Sequence, residues 1–461
     1  MLRSNRLRGF RVGVVLSIGG CATVDPRPDY EQAKQEIRAT TGEEVVHDPD
    51  QPVLTGAEIG TMLADGLGLD EATRLALLNN RRLQAGFLAL GVARADYVQA
   101  GLLANPSLSL AFLFPDAGGR VRWTADLVGS VTEIWQIPAR QAHAQAGIEQ
   151  RILELSRFAG ELVAATKTAY FESLAAREAR SVGRANLELA RRSREGVHRQ
   201  VAEGVASKTD ESLAESLALG VELSFQRTER EEVAATRRLA ALLSLEEDLL
   251  AVTLTDPLPE PGWPTLEREA FVEASLGVRP DLRAAARAVA AAEERVDLEH
   301  KRRLPEVSAG VSAERPEGGS SDDFFIGPAA ALELPLFDQN QAQVSRAEFE
   351  LAQSRKEHEA LVAEARQELR AALDTAGVAA RAATFAAHEL LPQAERSAAL
   401  AQRAYELGDT TVLTLLQAQR TVLEARRTLI DALLEAALSR IEVERAAGGP
   451  LRPSAERAIE P

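Results

Sequence analysis

The chain states one plan twice, and this duplication constrains its fold more than any other feature. Leu103-Ala104-Asn105-Pro106-Ser107-Leu108-Ser109 is answered by Arg303-Leu304-Pro305-Glu306-Val307-Ser308, with Pro106 and Pro305 305 − 106 = 199 positions apart. Asp116-Ala117-Gly118-Gly119 is answered by Glu317-Gly318-Gly319, with the last glycines 319 − 119 = 200 apart, and Gly204 and Gly408 are 408 − 204 = 204 apart. A slow drift of the offset is what a diverged tandem duplication leaves. The openings match too: Leu69-Asp70-Glu71-Ala72 against Leu266-Glu267-Arg268-Glu269-Ala270.

Within each copy a helical stretch precedes a short β region, and a very long helical stretch follows. Residues 139–256 contain no proline, and apolar residues recur at heptad-like spacing through Ile148, Ile152, Leu155, Leu162, Leu187, Leu189, Leu213 and Leu217. A helix of roughly 60 residues reaches about 90 Å, far beyond what a globular domain requires. Gly204 and Gly408 are expected to turn two antiparallel helices, and Ser207-Lys208-Thr209-Asp210 and Asp409-Thr410-Thr411 behind them supply N-capping side chains. Pro392 is expected to break the second long helix partway.

The β regions decide the environment. From Val121 to Thr132 the odd positions Val121, Trp123, Ala125, Leu127, Gly129 and Val131 are apolar or small, and the even ones are polar except Val128. Val307, Ala309, Val311 and Ala313 alternate in the same way with Ser308, Gly310, Ser312 and Glu314, and Leu108, Leu110, Phe112 and Phe114 give a third strand. A fourth, Ile326 to Leu336, is weakened by Pro328 and Pro335. Strands of about 9 to 11 residues with one apolar and one wet face fit a tilted bilayer crossing, with Trp123, Trp135, Phe112 and Phe325 placed for its interfaces. Two surface hairpins packed on helices are the alternative. Four strands cannot close a barrel, and an open edge in lipid leaves backbone groups unpaired, so a membrane reading requires several copies.

The remaining composition narrows the function classes. A net charge of −16 argues against a nucleic-acid partner, which needs a basic face. No run of about 18 apolar residues follows Cys21, so no transmembrane helix is expected. His47, His143, His198, His300, His358 and His388 are scattered, the Glu/Arg pairs at helical spacing read as solvated faces, and Gly318 to Asp323 lacks a phosphate-cradle context. No catalytic residue, metal site or cofactor is expected.

At the N-terminus Arg3, Arg6, Arg8 and Arg11 precede an apolar run, Val12 to Ile18, and then Gly19, Gly20 and Cys21, the only cysteine. This is the order of a secretory signal. Leu16-Ser17-Ile18-Gly19-Gly20-Cys21 resembles a bacterial lipoprotein box cleaved before Cys21, with Ala22 directing the product to the outer membrane. The bland reading is an ordinary signal peptide with an incidental cysteine.

Over roughly residues 65–447 the chain resembles the TolC-type outer-membrane efflux family. Leu69-Asp70-Glu71-Ala72 with Asn79-Asn80, Leu334-Pro335-Leu336-Phe337-Asp338, and Tyr405-Glu406-Leu407-Gly408 leading to Leu415-Leu416-Gln417-Ala418-Gln419-Arg420 carry the resemblance. It implies a mainly α fold with a β-barrel portion: duplicated coiled-coil hairpins form an α-barrel, and four strands from each of three protomers make one 12-stranded outer-membrane barrel. The expected divisions are a signal peptide (1–20), a lipid-anchored, extended tether (21–66), a first repeat (67–256, hairpin 107–137, turn near 204), a second repeat (257–447, hairpin 307–337, turn near 408) and a tail (448–461).

The implied function is a passive exit duct of a tripartite efflux or type I secretion system, a lipid-anchored homotrimer that extends into the periplasm and meets a periplasmic adaptor and an inner-membrane pump. The implied adaptor-docking tip is Gly204, Val205, Ala206, Leu407, Gly408, Asp409 and Thr410. Asp210 and Tyr405 match positions that share a hydrogen bond at the closed tip; a helix cap and a core-filling aromatic are the alternative roles. Thr410 stands where some relatives have arginine, and Thr414 and Gln417, the other gate positions, stand where some have aspartate, which weakens the case for a carboxylate ring. Leu336-Phe337-Asp338-Gln339-Asn340-Gln341 looks most like members serving metal-ion or related resistance-nodulation pumps. A periplasmic adaptor and a soluble coiled-coil scaffold are competing readings; the first lacks its expected large β-rich part, and the second leaves the strands and signal unexplained.

Overall fold

The computed structural model describes residues 23–451 except 45, 52–53, 117, 246–251, 264–266 and 317–323. The signal segment, Cys21, the loop from Gly318 to Asp323 and the end of the C-terminal tail therefore lie outside the described residues. Two short helices, α1 (Arg27–Thr41) and α2 (Gly56–Leu63), lead into α3 (Leu69–Asn79) and α4 (Arg81–Ala100), then β1 (Ser107–Leu113), β2 (Arg122–Ser130), α5 (Glu133–Ala202) and α6 (Lys208–Leu242). The same order of element types follows in α7 (Arg268–Val278), α8 (Pro280–Lys301), β3 (Val307–Arg315), β4 (Phe325–Leu332), α9 (Gln341–Phe385), α10 (Leu391–Glu406) and α11 (Val412–Ala447).

All four strands form one antiparallel sheet in the order β1-β2-β3-β4, so its central pairing joins the two copies. Thr132 pins that junction: its hydroxyl accepts from Val307 N–H at 2.6 Å and donates to the Pro305 carbonyl at 3.1 Å. Pro328 lies inside β4, opposite Val311. β4 pairs with β3 alone, and an edge strand tolerates a residue that cannot donate.

The helices run from the sheet as a layer. α4 packs on α5, α5 on α8 and α8 on α9, while α6 and α11 return beside α5 and α9. α5 spans 70 residues, or about 105 Å. Ile148, Ile152, Leu155, Leu162, Leu187 and Leu189 are buried along it, whereas Leu213 and Leu217 on α6 are 59% exposed. The heptad pattern thus packs within the chain only in its upper part.

Two expectations are corrected. The segment before Gly66 is no extended tether, because Tyr30, Ala33, Ile37 and Thr41 recur at helical spacing and are buried. Arg94 forms a two-pronged ion pair with Asp29, and Lys34 reaches Asp48 at 2.9 Å, clamping α1 in place. Pro392 does not break the second helix either. A π turn at Ala386–Leu390 precedes it and runs directly into α10. The wider turn absorbs one residue and the hydrogen bond proline cannot donate.

Candidate functional site

The sheet presents two unlike faces. Register places Leu110, Ala125, Ala313 and Ile326 in one row across all four strands, and Leu108, Leu127, Val311 and Pro328 in the next. These rows are apolar and open, with Leu110 55%, Leu127 47% and Ile326 67% exposed. The opposite face carries Arg122, Thr124, Asp126, Ser308, Ser312 and Glu314. Ser312 donates to Asp126 at 2.6 Å, and Arg122 pairs with Glu314 at 2.9 Å. An exposed apolar face this wide is unusual on a protein in water, whereas lipid outside and water inside require it. The outer edges of β1 and β4 have no partner strand within the sheet. Exposed Phe114 and Phe325 stand at one end of the sheet, and Trp135, Leu336 and Phe337 at the other, where the strands meet the helices.

At the far end the two helical hairpins turn at Gly204 and Gly408, whose φ angles of 75° and 81° lie in the left-handed region that favours glycine. Val205 and Leu407 beside them are 76% and 77% exposed, and Asp409 N–H donates to the Ala404 carbonyl at 2.8 Å. Asp210 closes a capping box with Ser207, accepting from its N–H at 2.9 Å and its hydroxyl at 2.7 Å. These bonds, the hydroxyl's first, hold its carboxyl below the usual range. Thr411 caps α11 by accepting from Thr414 N–H at 3.3 Å. Asp210 and Gln417 line one cavity of about 930 Å³ between the hairpins, with Leu213 and Leu217 on its wall. Within the chain no hydrogen bond joins Asp210 to Tyr405, and Tyr405, 42% exposed, fills no core.

A buried polar staple near the start of the first copy gave no sequence signal. Leu67 and Leu254 form a parallel bridge. Asp256 Oδ2 accepts from Leu69 N–H at 2.7 Å and lies 2.9 Å from the Tyr170 hydroxyl, which is 3.0 Å from the Leu67 carbonyl. Burial first, with the nearby carboxylate adding, pushes the Tyr170 hydroxyl up to about 12. A folded value above the unfolded one of about 10 means that this contribution is complete below pH 10 and is lost as pH rises through 12. Tyr170→Phe is therefore expected to cost about 1–3 kcal/mol at neutral pH and to flatten the alkaline fall in stability, which urea midpoints measured against pH would read. Asn79 and Asn80 act similarly, donating to the carbonyls of Leu243, Ser244 and Leu242 at the end of α6.

Arg279, at the corner between α7 and α8, holds a second network. Its guanidinium grips Asp281 through two bonds of 3.0 and 2.6 Å, and reaches Glu368 at 2.8 Å on α9 and the Ala446 carbonyl at 2.7 Å on α11. Burial would raise both carboxyls, but the Arg279 charge and hydrogen bonds outweigh it for Asp281, as Arg445 and Arg279 together do for Glu368, and both titrate below their usual range.

Among the described residues no helix is long and apolar enough to cross a membrane, and no cluster of His, Cys, Asp or Glu could hold a metal ion. The outer membrane efflux protein family model matches residues 272–449. The cobalt-zinc-cadmium resistance protein CzcC of Cupriavidus metallidurans is 26% identical, over 80% of this chain and 87% of that one. The pyoverdine export outer membrane protein OpmQ of Pseudomonas aeruginosa is 25% identical, over 83% and 85%. In fold the chain is similar to the outer membrane protein VceC of Vibrio cholerae, with a TM-score of 0.65 at 20% identity over 83% of this chain and 96% of that one. It is likewise similar to CusC, with a TM-score of 0.68 at 18% identity over 88% and 97%. Residues 272–449 thus match the outer membrane efflux protein family, and the chain is an efflux channel of the outer membrane. Members of that family are channels rather than enzymes.

Proposed function

We propose that three copies of this chain pool their strands into one 12-stranded barrel and their helices into a periplasmic tunnel, through which solute handed over by a periplasmic adaptor and an inner-membrane pump leaves the cell. The observation that carries this reading is the sheet: it is apolar and exposed on one face, polar on the other, and open at both edges. Only closure by further copies pairs those edges without exposing backbone to lipid.

The tip residues Gly204, Val205, Ala206, Leu407, Gly408, Asp409 and Thr410 are the docking surface for the adaptor's helices; exposed Val205 and Leu407 support this role. Asp210 and Tyr405 form the gate with Thr414 and Gln417, as a latch from one copy to the next. Purified protein in a planar bilayer is the test. The wild type should pass small, infrequent currents, and the double variant Asp210→Ala/Tyr405→Phe should open several-fold more often. Absence of conductance from both would overturn the channel reading; equal conductance would remove the latch.

Cys21 carries the lipid anchor in this reading, supported by the box of residues 16–21 and by α1, which is fixed to α4 through Asp29 and Arg94 close to the strands. Radiolabelled palmitate should enter the wild type and be absent from Cys21→Ser, while the barrel of the variant still assembles. The relatives' names mention cobalt, zinc and cadmium in one case and pyoverdine in another. That spread accords with cargo selection elsewhere in the machine.

A further inference from the structure

The π turn before Pro392 in the second long helix lies beside a face suited to contact between copies. On α9, Val378 and Phe385 are 58% and 60% exposed, and on α10, Leu400 and the adjoining Leu407 are 65% and 77% exposed. Their spacings are 7, 15 and 7 residues. A straight heptad stripe would need 14 in the middle, and the π turn at Ala386–Leu390 between Phe385 and Leu400 takes up the extra residue. A basic row runs beside the stripe with the same break: Arg381 and Arg396 are 15 apart, Arg396 and Arg403 are 7 apart, and all three are exposed. Two rows sharing one offset across the π turn show that it keeps a single face in line.

That face is turned away from the chain's own packing. α9 buries Ala365, Leu369, Ala376 and Ala383 on its opposite side, and α10 packs on α11. None of the three arginines has an acidic partner within the described residues.

The complementary face is on α6. Leu219, Leu223 and Val233 are 61%, 52% and 44% exposed and lie away from the residues that α6 buries, such as Ala235 and Leu239. Beside them Glu215, Glu222 and Glu229 recur every 7 residues. Each pairs with an arginine of α5, Arg194, Arg191 and Arg180 in turn, yet keeps 49%, 37% and 42% of its side chain exposed, so a second cation has access to it. We propose that the Val378–Phe385–Leu400–Leu407 stripe of one copy packs against the Leu219–Leu223–Val233 face of α6 in a second copy, with the arginine row meeting the glutamate row. The open sheet supplies the occupant. If β4 of one copy pairs with β1 of the next, α9 of the first lies beside α4 of the second near the sheet, and farther down, where Asn80 joins the start of α4 to the end of α6, α9–α10 meets α6. Measured from the hairpin turns, Leu400 and Phe385 stand about 9 and 32 Å up their helix, and Leu219 and Val233 about 17 and 38 Å up theirs, so antiparallel neighbours interleave at matching heights. The inference rests on the trimer reading of the preceding section.

Cross-linking of engineered cysteine pairs in the outer membrane with a bismaleimide tests it. Leu219→Cys/Leu400→Cys, offset in height, should give covalent dimers and trimers on denaturing gels after treatment with a bismaleimide long enough to bridge that offset, and each single variant should remain monomeric once boiled. A second variant carries the same pair with Pro392→Ala at unchanged length, which lets the π turn close into a plain helix and rotates Leu400 by about one residue's 100° off the seam. It should lose that cross-link, while Val233→Cys/Val378→Cys, above the π turn, should keep its own in the same background. A heat-sensitive trimer that forms without the first cross-link overturns the seam and leaves the trimer reading standing. No trimer in unboiled samples of any variant or the wild type overturns the trimer reading itself. A first cross-link that survives Pro392→Ala, or that is not restored when His388 is deleted as well to give the 14-residue spacing, overturns the register role of the π turn.

Discussion

Arg279→Ala is expected to destabilise the protein by about 3–5 kcal/mol, because it leaves Asp281 and Glu368 partly buried without their shared cation. Arg279 is 6% exposed and bonds to α9 and α11 as well as to its own turn, so its loss should loosen the base of the whole second hairpin. Urea unfolding of the detergent-solubilised protein would show the shift in midpoint. The pH dependence supplies an independent sign. Both carboxyls titrate below their ordinary values, so their contribution is present above about pH 4 and is lost as pH falls through the folded values. The variant should lack that acid-side slope. A variant as stable as the wild type, with the slope intact, would show that the network contributes nothing.

The second large effect concerns the sheet. Val311 sits near the middle of β3 between Leu127 and Pro328, on the apolar face. Val311→Arg should cost about 2–4 kcal/mol per copy if that position faces the bilayer midplane. In the proposed trimer the cost is carried three times, and heat-resistant assembly in the outer membrane should be lost. Ser312→Arg, one residue along and on the polar face, places the same charge in the water-filled lumen and should assemble. Semi-native gels of membrane fractions compare the two. Equal assembly would mean that the two faces do not divide lipid from water.

The strands were legible because a two-residue period survives without tertiary help, and Leu127 and Val311 fall on the face that alternation assigns. The long helices and their glycine turns were legible for similar local reasons. What escaped reading depends on partners distant in sequence. Tyr30, Ala33 and Ile37 form a helical stripe, but Pro26, Pro28 and the acidic residues around them made the segment read as open chain. Proline signals a missing donor, and only the surrounding packing decides whether the helix ends or widens into a π turn, as before Pro392. Asp256 and Tyr170 are 86 residues apart, and Arg279 and Ala446 are 167 apart; no spacing rule joins them. Asp210 shows how one side chain can satisfy two readings, since its capping role is local while the latch requires a neighbour.

The central pairing of β2 with β3 has a consequence for how the molecule is made. A chain delivered N-terminus first exposes β1 and β2 long before β3 has left the translocon, because 307 − 130 = 177 residues separate the end of one from the start of the other. During that interval the first hairpin has an apolar face and a free edge in water, the combination that promotes aggregation. The first long coiled coil, built from local contacts, can form early; the sheet must wait for the second half of the chain. Export of this protein thus creates a timed demand for a holding factor, which ends only when the last strand arrives.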